Sequence, residues 1–281
     1  MALKTPVVDR LPTYPGRVKL TPVSGQTNVY DMVREDSPVT EGTPLNKALF
    51  DQKAYTLTES VTIYVNGSSG SDVTGTGAST APYKTIQAAV NSIPKCLGSY
   101  HAQIDIAAGT YEERVTVDGF YGGRLTLGVS GRTVTVRGIS IMSSAAVRIN
   151  ITHITYSANH AGTLLYADYG SVVTVLSALT LRGGSAVSGI AAARGSRINC
   201  DTTVAALECG AAAILATSGS SIVLATINGN TGNTSYGLRA EMGGFITYSS
   251  KGLVASLGDS TGTGGRILTG SGTALANASV V

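Results

Sequence analysis

An all-β solenoid, a stack of short β-coils, is the fold class this sequence predicts, and three observations predict it. Glycines at 170, 195, 219, 243 and 272 recur at intervals of 25, 24, 24 and 29 residues, and a fixed period of that size marks a solenoid. Apolar residues keep constant places around these corners. Leu165, Ile190, Ile214, Leu238 and Ile267 stand five residues before, and Ala167, Ala192, Ala216, Ala240 and Thr269 three before. Val173, Ile198, Ile222, Ile246 and Leu275 stand three after. Their period of two marks strands rather than helices. Composition is the third observation. The chain is 43% hydrophobic with 35 glycines, three phenylalanines and no tryptophan, which suits thin coils packed with small aliphatic side chains.

The elements follow in order. Residues 1–60 stand apart, with six of the eight prolines inside the first 44 residues. Residues 21–24 and 35–38 read as extended or turn segments, because proline biases its predecessor away from helix. Thr43 and Pro44 form a helix start, as N-cap and first helical residue, for a helix running to about Lys53. This segment has too little apolar surface to fold alone and is expected to order against a partner. Val61–Val65 alternates as a strand, and residues 66–80 form a loop by composition. Residues 83–94 place Ile86, Ala89, Val90 and Ile93 on one helical face. Such a helix can cover the open first coil, whose edge would otherwise invite aggregation. Residues 104–106, 109–111 and 115–117 make the first coil, and 125–127 and 134–136 are further strands. Ile139, Ile141 and Val147, placed around Ser144, begin the regular register. The third side of each coil is less regular. Leu179 and Leu181 find a counterpart at Val204, and Asn228 takes the equivalent place one coil on. The long interval after Gly243 places projecting loops on that side. Two parts result, 1–60 and 61–281.

Charge excludes several function classes. Charged residues make up 13% of the chain and the formal net charge is +3, far from the basic stripe that nucleic acid requires. No window approaches the ~18 apolar residues of a membrane span. The opening MALKTPVVDR lacks the apolar core of a secretory signal, so a soluble protein without a signal peptide is expected. Cys200 shares a column with Val175, Leu224 and Tyr248 and reads as a small buried hydrophobe. His101, His153 and His160 form neither HxH nor HExxH. The glycine-rich stretches 66–75 and 262–265 lack a phosphate-binding motif, so no metal or cofactor is expected.

Two resemblances add to this. IDIAAGTYEERVTV (104–117), preceded by YVNGSSGSD (64–72) and PYKTIQAAV (82–90), resembles the entry of right-handed parallel β-helices of the pectin-lyase-like superfamily, over about residues 61–281. The resemblance implies a right-handed parallel β-helix with a capping α-helix. It implies no single activity, because that scaffold carries lyases, hydrolases, esterases and inert spikes alike. PGRVKLTPVSGQTNVYDMVREDSPVTEGTPLNKALFD (15–51) is similar to the N-terminal segment of tail-fibre-type proteins encoded by phages and prophages of Gram-positive bacteria. That similarity implies a virion-attachment anchor at 1–60, a spike at 61–281, a homotrimer, and a place on the exterior of the phage particle.

Catalysis finds little support. Glycan-cleaving β-helices need paired carboxylates about 5–5.5 Å apart for retention or about 6.5–9.5 Å for inversion. From residue 118 onward the carboxylates are Asp118, Asp168, Asp201, Glu208, Glu241 and Asp259. Asp168 and Glu241 share a column but stand three coils apart, roughly 14 Å at the usual strand spacing. Asp201 and Glu208 lie in one coil, separated by an apolar stretch. Asp105, Glu112 and Glu113 surround the Gly-Thr-Tyr turn and read as solvated. No catalytic residue is assigned.

The outward positions carry the remaining expectations. Two residues after the corners stand Val172, Arg197, Ser221, Phe245 and Ala274, and four after stand Thr174, Asn199, Val223, Thr247 and Ala276. Val172, Val223 and Phe245 are expected to pack against neighbouring chains. The opposite outward set, Asp168, Tyr169, Arg194, Ser218 and Glu241, is polar, with Tyr169 the candidate glycan contact. The expected function is structural and adhesive: a trimeric tail fibre or tailspike joined to other virion proteins through residues 1–60 and meeting a host cell-surface glycan. It needs no cofactor, metal, nucleic acid or membrane insertion. Two alternatives stand beside it: a polysaccharide depolymerase with an intersubunit site, and a capsid-attached fibre or passive spacer.

Overall fold

Alternating aliphatic residues build strands that stack in parallel, each coil lying on the last, into a parallel β-solenoid. The computed structural model describes residues 11–12, 17–25, 27–34, 38–40, 56–160, 162–184, 187–229, 236–253, 258–270 and 279–280. The chain divides into two compact units, Met1–Ala54 and Tyr55–Val281.

In the first unit Val18–Pro22 pairs antiparallel with Tyr30–Arg34, and Leu11–Pro12 pairs with Pro38–Thr40. Leu20 faces Met32 across the hairpin and both are exposed. The helix expected from Thr43 to about Lys53 lies outside the described residues.

In the second unit each coil crosses three faces. The entry face holds Val61–Val65, His101–Ile106, Arg124–Leu127, Val147–Ile149 and Val172–Val175. The middle face holds Gly109–Thr110, Val134–Val136, His153–Thr155 and Leu179–Arg182. The exit face is an eight-stranded sheet from Arg114–Asp118 to Ser279–Val280. From Arg197–Leu207 onward single strands bend across entry and middle faces, as in Ser221–Gly229 and Phe245–Leu253, and join them into one 13-stranded sheet.

Register stacks like on like. Val147, Val173, Ile198, Ile222, Ile246 and Ile267 form one entry-face column. Val115, Ile139, Leu165, Ile190, Ile214 and Leu238 form an exit-face column. Every member of both columns is buried. Each such side chain removed from water contributes about 1.5–3 kcal/mol, which offsets the ordering of a chain that is nearly all strand and turn. Cys200 is buried beneath Val175 and above Leu224, as a small core residue.

Two register expectations fail. Ile267 pairs with Ile246, not Leu238, because the corner is Gly264 (φ 68°), 21 residues after Gly243. The expected corner at Gly272 lies outside the described residues, and Arg266 and Leu268 occupy the places assigned to Ala274 and Ala276. Ile227, not Asn228, stands opposite Val204. A one-residue bulge between Cys200 and Thr203 shifts the pairing, an irregularity that a fixed repeat cannot register.

The helix spans Ile86–Ser92, shorter than 83–94. The Thr85 hydroxyl accepts the Ala88 N–H at 3.2 Å as N-cap, and Ile93 turns extended because Pro94 follows it. Ile86, Ala89 and Val90 are buried. Gln87 explains the capping role: its Oε1 accepts the Thr116 N–H at 2.7 Å, and its Nε2 donates to the Thr116 carbonyl at 3.1 Å. Thr116 lies on the first strand of the exit sheet, so a side-chain amide closes the edge that a neighbouring strand would otherwise extend.

Candidate functional site

The exit-to-entry corners are tight turns with two successive residues at positive φ: Tyr169 and Gly170 (53° and 70°), Arg194 and Gly195 (45° and 75°), Ser218 and Gly219 (53° and 71°), Met242 and Gly243 (47° and 75°). A two-residue turn of this type requires the left-handed region twice. Glycine takes the second place freely. The first place carries a side chain at a cost of about 1–2 kcal/mol, which turns four residues outward along one edge. Tyr169 is 56% exposed and Met242 58%.

After the glycine comes a buried serine at three of these corners: Ser171, Ser196 and Ser220. The Ser171 hydroxyl accepts the Ser144 N–H at 3.2 Å, and the Ser196 hydroxyl accepts the Ser171 N–H at 3.1 Å. One coil earlier the Ser144 hydroxyl accepts the Phe120 N–H at 3.1 Å. The ladder ends at Ser196, for the buried Ser220 hydroxyl has no partner, and at the next corner Gly244 replaces serine, where a Cβ would meet the Ala216 carbonyl oxygen at 2.1 Å. The recurring Gly-Ser pair was the available sequence signal.

Asp168 was expected outward; it is 1% exposed. Its carboxylate accepts the Tyr166 hydroxyl at 2.7 Å, the Tyr169 N–H at 2.8 Å and Arg194 Nε at 2.8 Å. The same arginine forms an ion pair with it and stacks 4.1 Å from the Tyr169 ring centroid. Burial pushes the Asp168 carboxyl up, but Arg194, Tyr166 and the Tyr169 amide outweigh it and hold the carboxyl below its ordinary range. Burial, then the bond to Asp168, pushes the Tyr166 hydroxyl up to about 12. Neither group titrates near neutral pH, where general acid–base catalysis operates best. The cluster holds the Tyr169 backbone and the Arg194 side chain in place at this corner.

Asp168 and Glu241 stand three coils apart, through the register Ala167–Ala192–Ala216–Ala240. Sequence reasoning missed a nearer pair. Asp118, Met142 and Asp168 share the same column, so Asp118 and Asp168 stand two coils, roughly 9.6 Å, apart at the backbone. Carrying the corner template one coil further back would have shown this. The separation touches the wide end of the inverting range, but Met142 lies between and Asp168 is locked by its three partners.

Glu113 also departs from expectation. It is not a solvated turn residue: its carboxylate accepts the Ile86 and Gln87 N–H groups at 2.8 and 2.9 Å, holding the helix start. Glu112 is exposed and paired with Arg137, and Asp105 is paired with Arg132.

The outer entry face separates the three apolar candidates. Val172 and Phe245 share a column with Arg197 and Ser221 between them, roughly 14 Å apart. Val223 occupies the next outward column, followed by Thr247 and Leu268. Val172 and Val223 are exposed and Phe245 is half-buried. Val223 and Leu268 line a shallow depression of about 260 Å³, with Thr247 and Tyr248 in its wall. Among the described residues no group of three or more His, Cys, Asp and Glu is placed to hold a metal ion, and no helix is long and apolar enough to cross a membrane.

No protein-family model, no curated protein and no solved structure matches this chain.

Proposed function

We propose that this protein is a structural and adhesive virion component: a tail fibre or tailspike whose right-handed β-helix projects as a homotrimer. Residues 1–60 attach it to other virion proteins, and its outer surface meets a host cell-surface glycan. The similarity of residues 15–51 to tail-fibre anchors supports the attachment end. So do the exposed Leu20, Tyr30 and Met32 of its two-stranded hairpin, an apolar surface that a partner can cover.

The observation that carries a mechanical rather than enzymatic role is the use made of carboxylates. Asp105, Glu112, Asp168, Glu208, Glu241 and Asp259 each meet an arginine or lysine. Four of these pairs, Asp105–Arg132, Glu112–Arg137, Arg182–Glu208 and Asp168–Arg194, link residues 25 to 27 positions apart, one coil to the next. Carboxylates so placed tie one coil to the next, a use that favours a mechanical role.

The test has two arms. Incubation with host surface polysaccharide is expected to yield bound protein and no new reducing ends or unsaturated products. Product formation abolished by Asp118→Asn or Asp168→Asn would overturn the non-enzymatic role. For assembly, Phe245→Asp is expected to break the trimer, read by light scattering, and an unchanged oligomer removes Phe245 from the interface.

A further inference from the structure

We infer that the outer entry face near the start of the solenoid is an oxyanion site, formed by His101, Arg124, Thr126 and Arg148 on three successive coils. The site stands independently of the virion role, since it requires only these four side chains.

Register brings them together. His101 pairs with Arg124, and Thr126 pairs with Arg148. One Arg124 Nη lies 3.3 Å from His101 Nδ1, and His101 Nε2 lies 2.8 Å from the Thr126 hydroxyl. Arginine can only donate, so Nδ1 is the acceptor and the ring is neutral, with its proton on Nε2. Thr126 accepts that proton and keeps its own hydroxyl hydrogen for a further partner.

Two cations are left without counter-charge. Neither Arg124 nor Arg148 pairs with a carboxylate among the described residues. Asp105, on the same face of the His101 strand, is held by Arg132. Arg124 Nε is buried and has no acceptor, although a buried donor left unpaired is costly. Two guanidinium groups and a spare hydroxyl meet the needs of a tetrahedral or planar oxyanion, which accepts from several donors at once, while the neutral imidazole, bonded to Thr126 and Arg124, holds both donors in place.

The ring also responds to this field. Burial, then Arg124, then Arg148 lower the His101 pKa from 6.5. On its other side the neighbouring strand Val61–Val65 presents Thr62 at the outward register, and the Ser60 hydroxyl accepts the His101 backbone N–H at 3.1 Å. An anion seated between the arginines cancels the charge that opposes protonation, so its binding and protonation of His101 reinforce each other.

The ligand class is a sulfate, phosphate or carboxylate group, either free or carried on an acidic polysaccharide. The experiment follows the three histidine rings by NMR over pH 4 to 8, in sodium sulfate and in sodium chloride of equal ionic strength. Sulfate is expected to raise the His101 pKa by about one unit, equivalent to tenfold tighter sulfate binding to the protonated ring, and to leave His153 and His160 unmoved. Arg148→Gln is expected to abolish the sulfate-dependent rise while raising the His101 pKa in chloride. Arg148→Lys, which keeps the charge, restores part of the sulfate effect and controls for misfolding. Equal His101 values in sulfate and chloride overturn the site, as does an undiminished sulfate effect in folded Arg148→Gln. A second arm compares dextran sulfate with neutral dextran. Binding of dextran sulfate at least tenfold tighter per group than inorganic sulfate, lost in Arg148→Gln, supports a polymer-borne ligand. Equal affinity supports the site with the free ion as its occupant.

Discussion

A cysteine pair at residues 247 and 268 tests the register at the end of the solenoid, where the repeat and the structure part. Thr247 and Leu268 are direct partners on parallel strands, both outward. Directly opposed strand residues lie within the Cα separation that a disulfide bridges. The repeat-based register instead sets Leu268 opposite Arg239, on the exit face. Thr247→Cys/Leu268→Cys is therefore expected to oxidise readily, and Arg239→Cys/Leu268→Cys to stay reduced. A bond between residues 247 and 268 closes a loop of about 21 residues, for which the chain-entropy stabilisation is about 3.3 kcal/mol at 25 °C. Cys96 is partly exposed and is replaced by serine in both variants. Cys200 and Cys209 can remain, because burial pushes both thiols up to about 12 and a thiol, unlike a thiolate, does not attack. Free-thiol counts after mild oxidation and urea unfolding with and without reductant give the result. A bond at 239–268, or none at 247–268, refutes the placement of Arg266–Thr269 and with it the outward stripe of Val223, Thr247 and Leu268.

Two further perturbations test the polar anchors. Asp168→Asn removes a buried carboxylate held below its ordinary 3.8, so its stabilisation is full above that value and is lost as pH falls through the folded-state pKa. The expected cost at pH 7 is about 1–2 kcal/mol by urea unfolding, modest because Arg194 is half exposed and screened, and the difference from wild type should vanish toward pH 2. A difference independent of pH would contradict the assignment. Glu113→Ala strips the acceptors from two amides at the helix start, at about 1–2 kcal/mol. Hydrogen exchange should quicken over residues 86–93 and stay unchanged at residues 190–216, and uniform quickening would mean that the helix is not a separate cap.

Fold and register were legible wherever one coil repeated the next. The columns through Ile139, Leu165, Ile190, Ile214 and Leu238 follow from spacing alone, because a strand slipped by one residue would turn every aliphatic side chain to solvent. Irregular coils hide their register. Between Cys200 and Thr203 a bulge adds one residue without changing the apolar pattern. After Gly243 the coil shortens, and Ile267 with Thr269 fits the pattern before a corner as well as the pattern after one. The deciding signal was the corner itself. Met242-Gly243-Gly244 and Thr263-Gly264-Gly265 share a glycine at positive φ followed by a second glycine, and a Cβ on Gly265 would meet the Ala240 carbonyl oxygen as closely as one on Gly244 would meet that of Ala216.

The candidate sites were less legible, for a reason that belongs to solenoids. Side-chain partners here come mostly from the adjacent coil, so the fate of a carboxylate depends on a residue about 25 positions away. Asp168 occupies a column position that is exposed at Asp118 and partly exposed at Met142 and Glu241, yet it is buried because Arg194, one corner on, folds back over it. Glu113 sits in a turn, and only a helix 26 residues earlier makes it a cap. His101, Arg124 and Arg148 are unremarkable in sequence and become a cluster only when three coils are laid on one another. Adjacent coils also decide what is left over. Where a carboxylate stands one coil from an arginine, as at Asp105–Arg132 and Glu112–Arg137, the pair is spent on cohesion. Where arginine stacks beside histidine and threonine, with no acid in register, positive charge remains on the surface for a ligand to neutralise. Removing cohesion pairs should therefore lower stability and leave anion binding intact, while removing Arg148 should do the reverse.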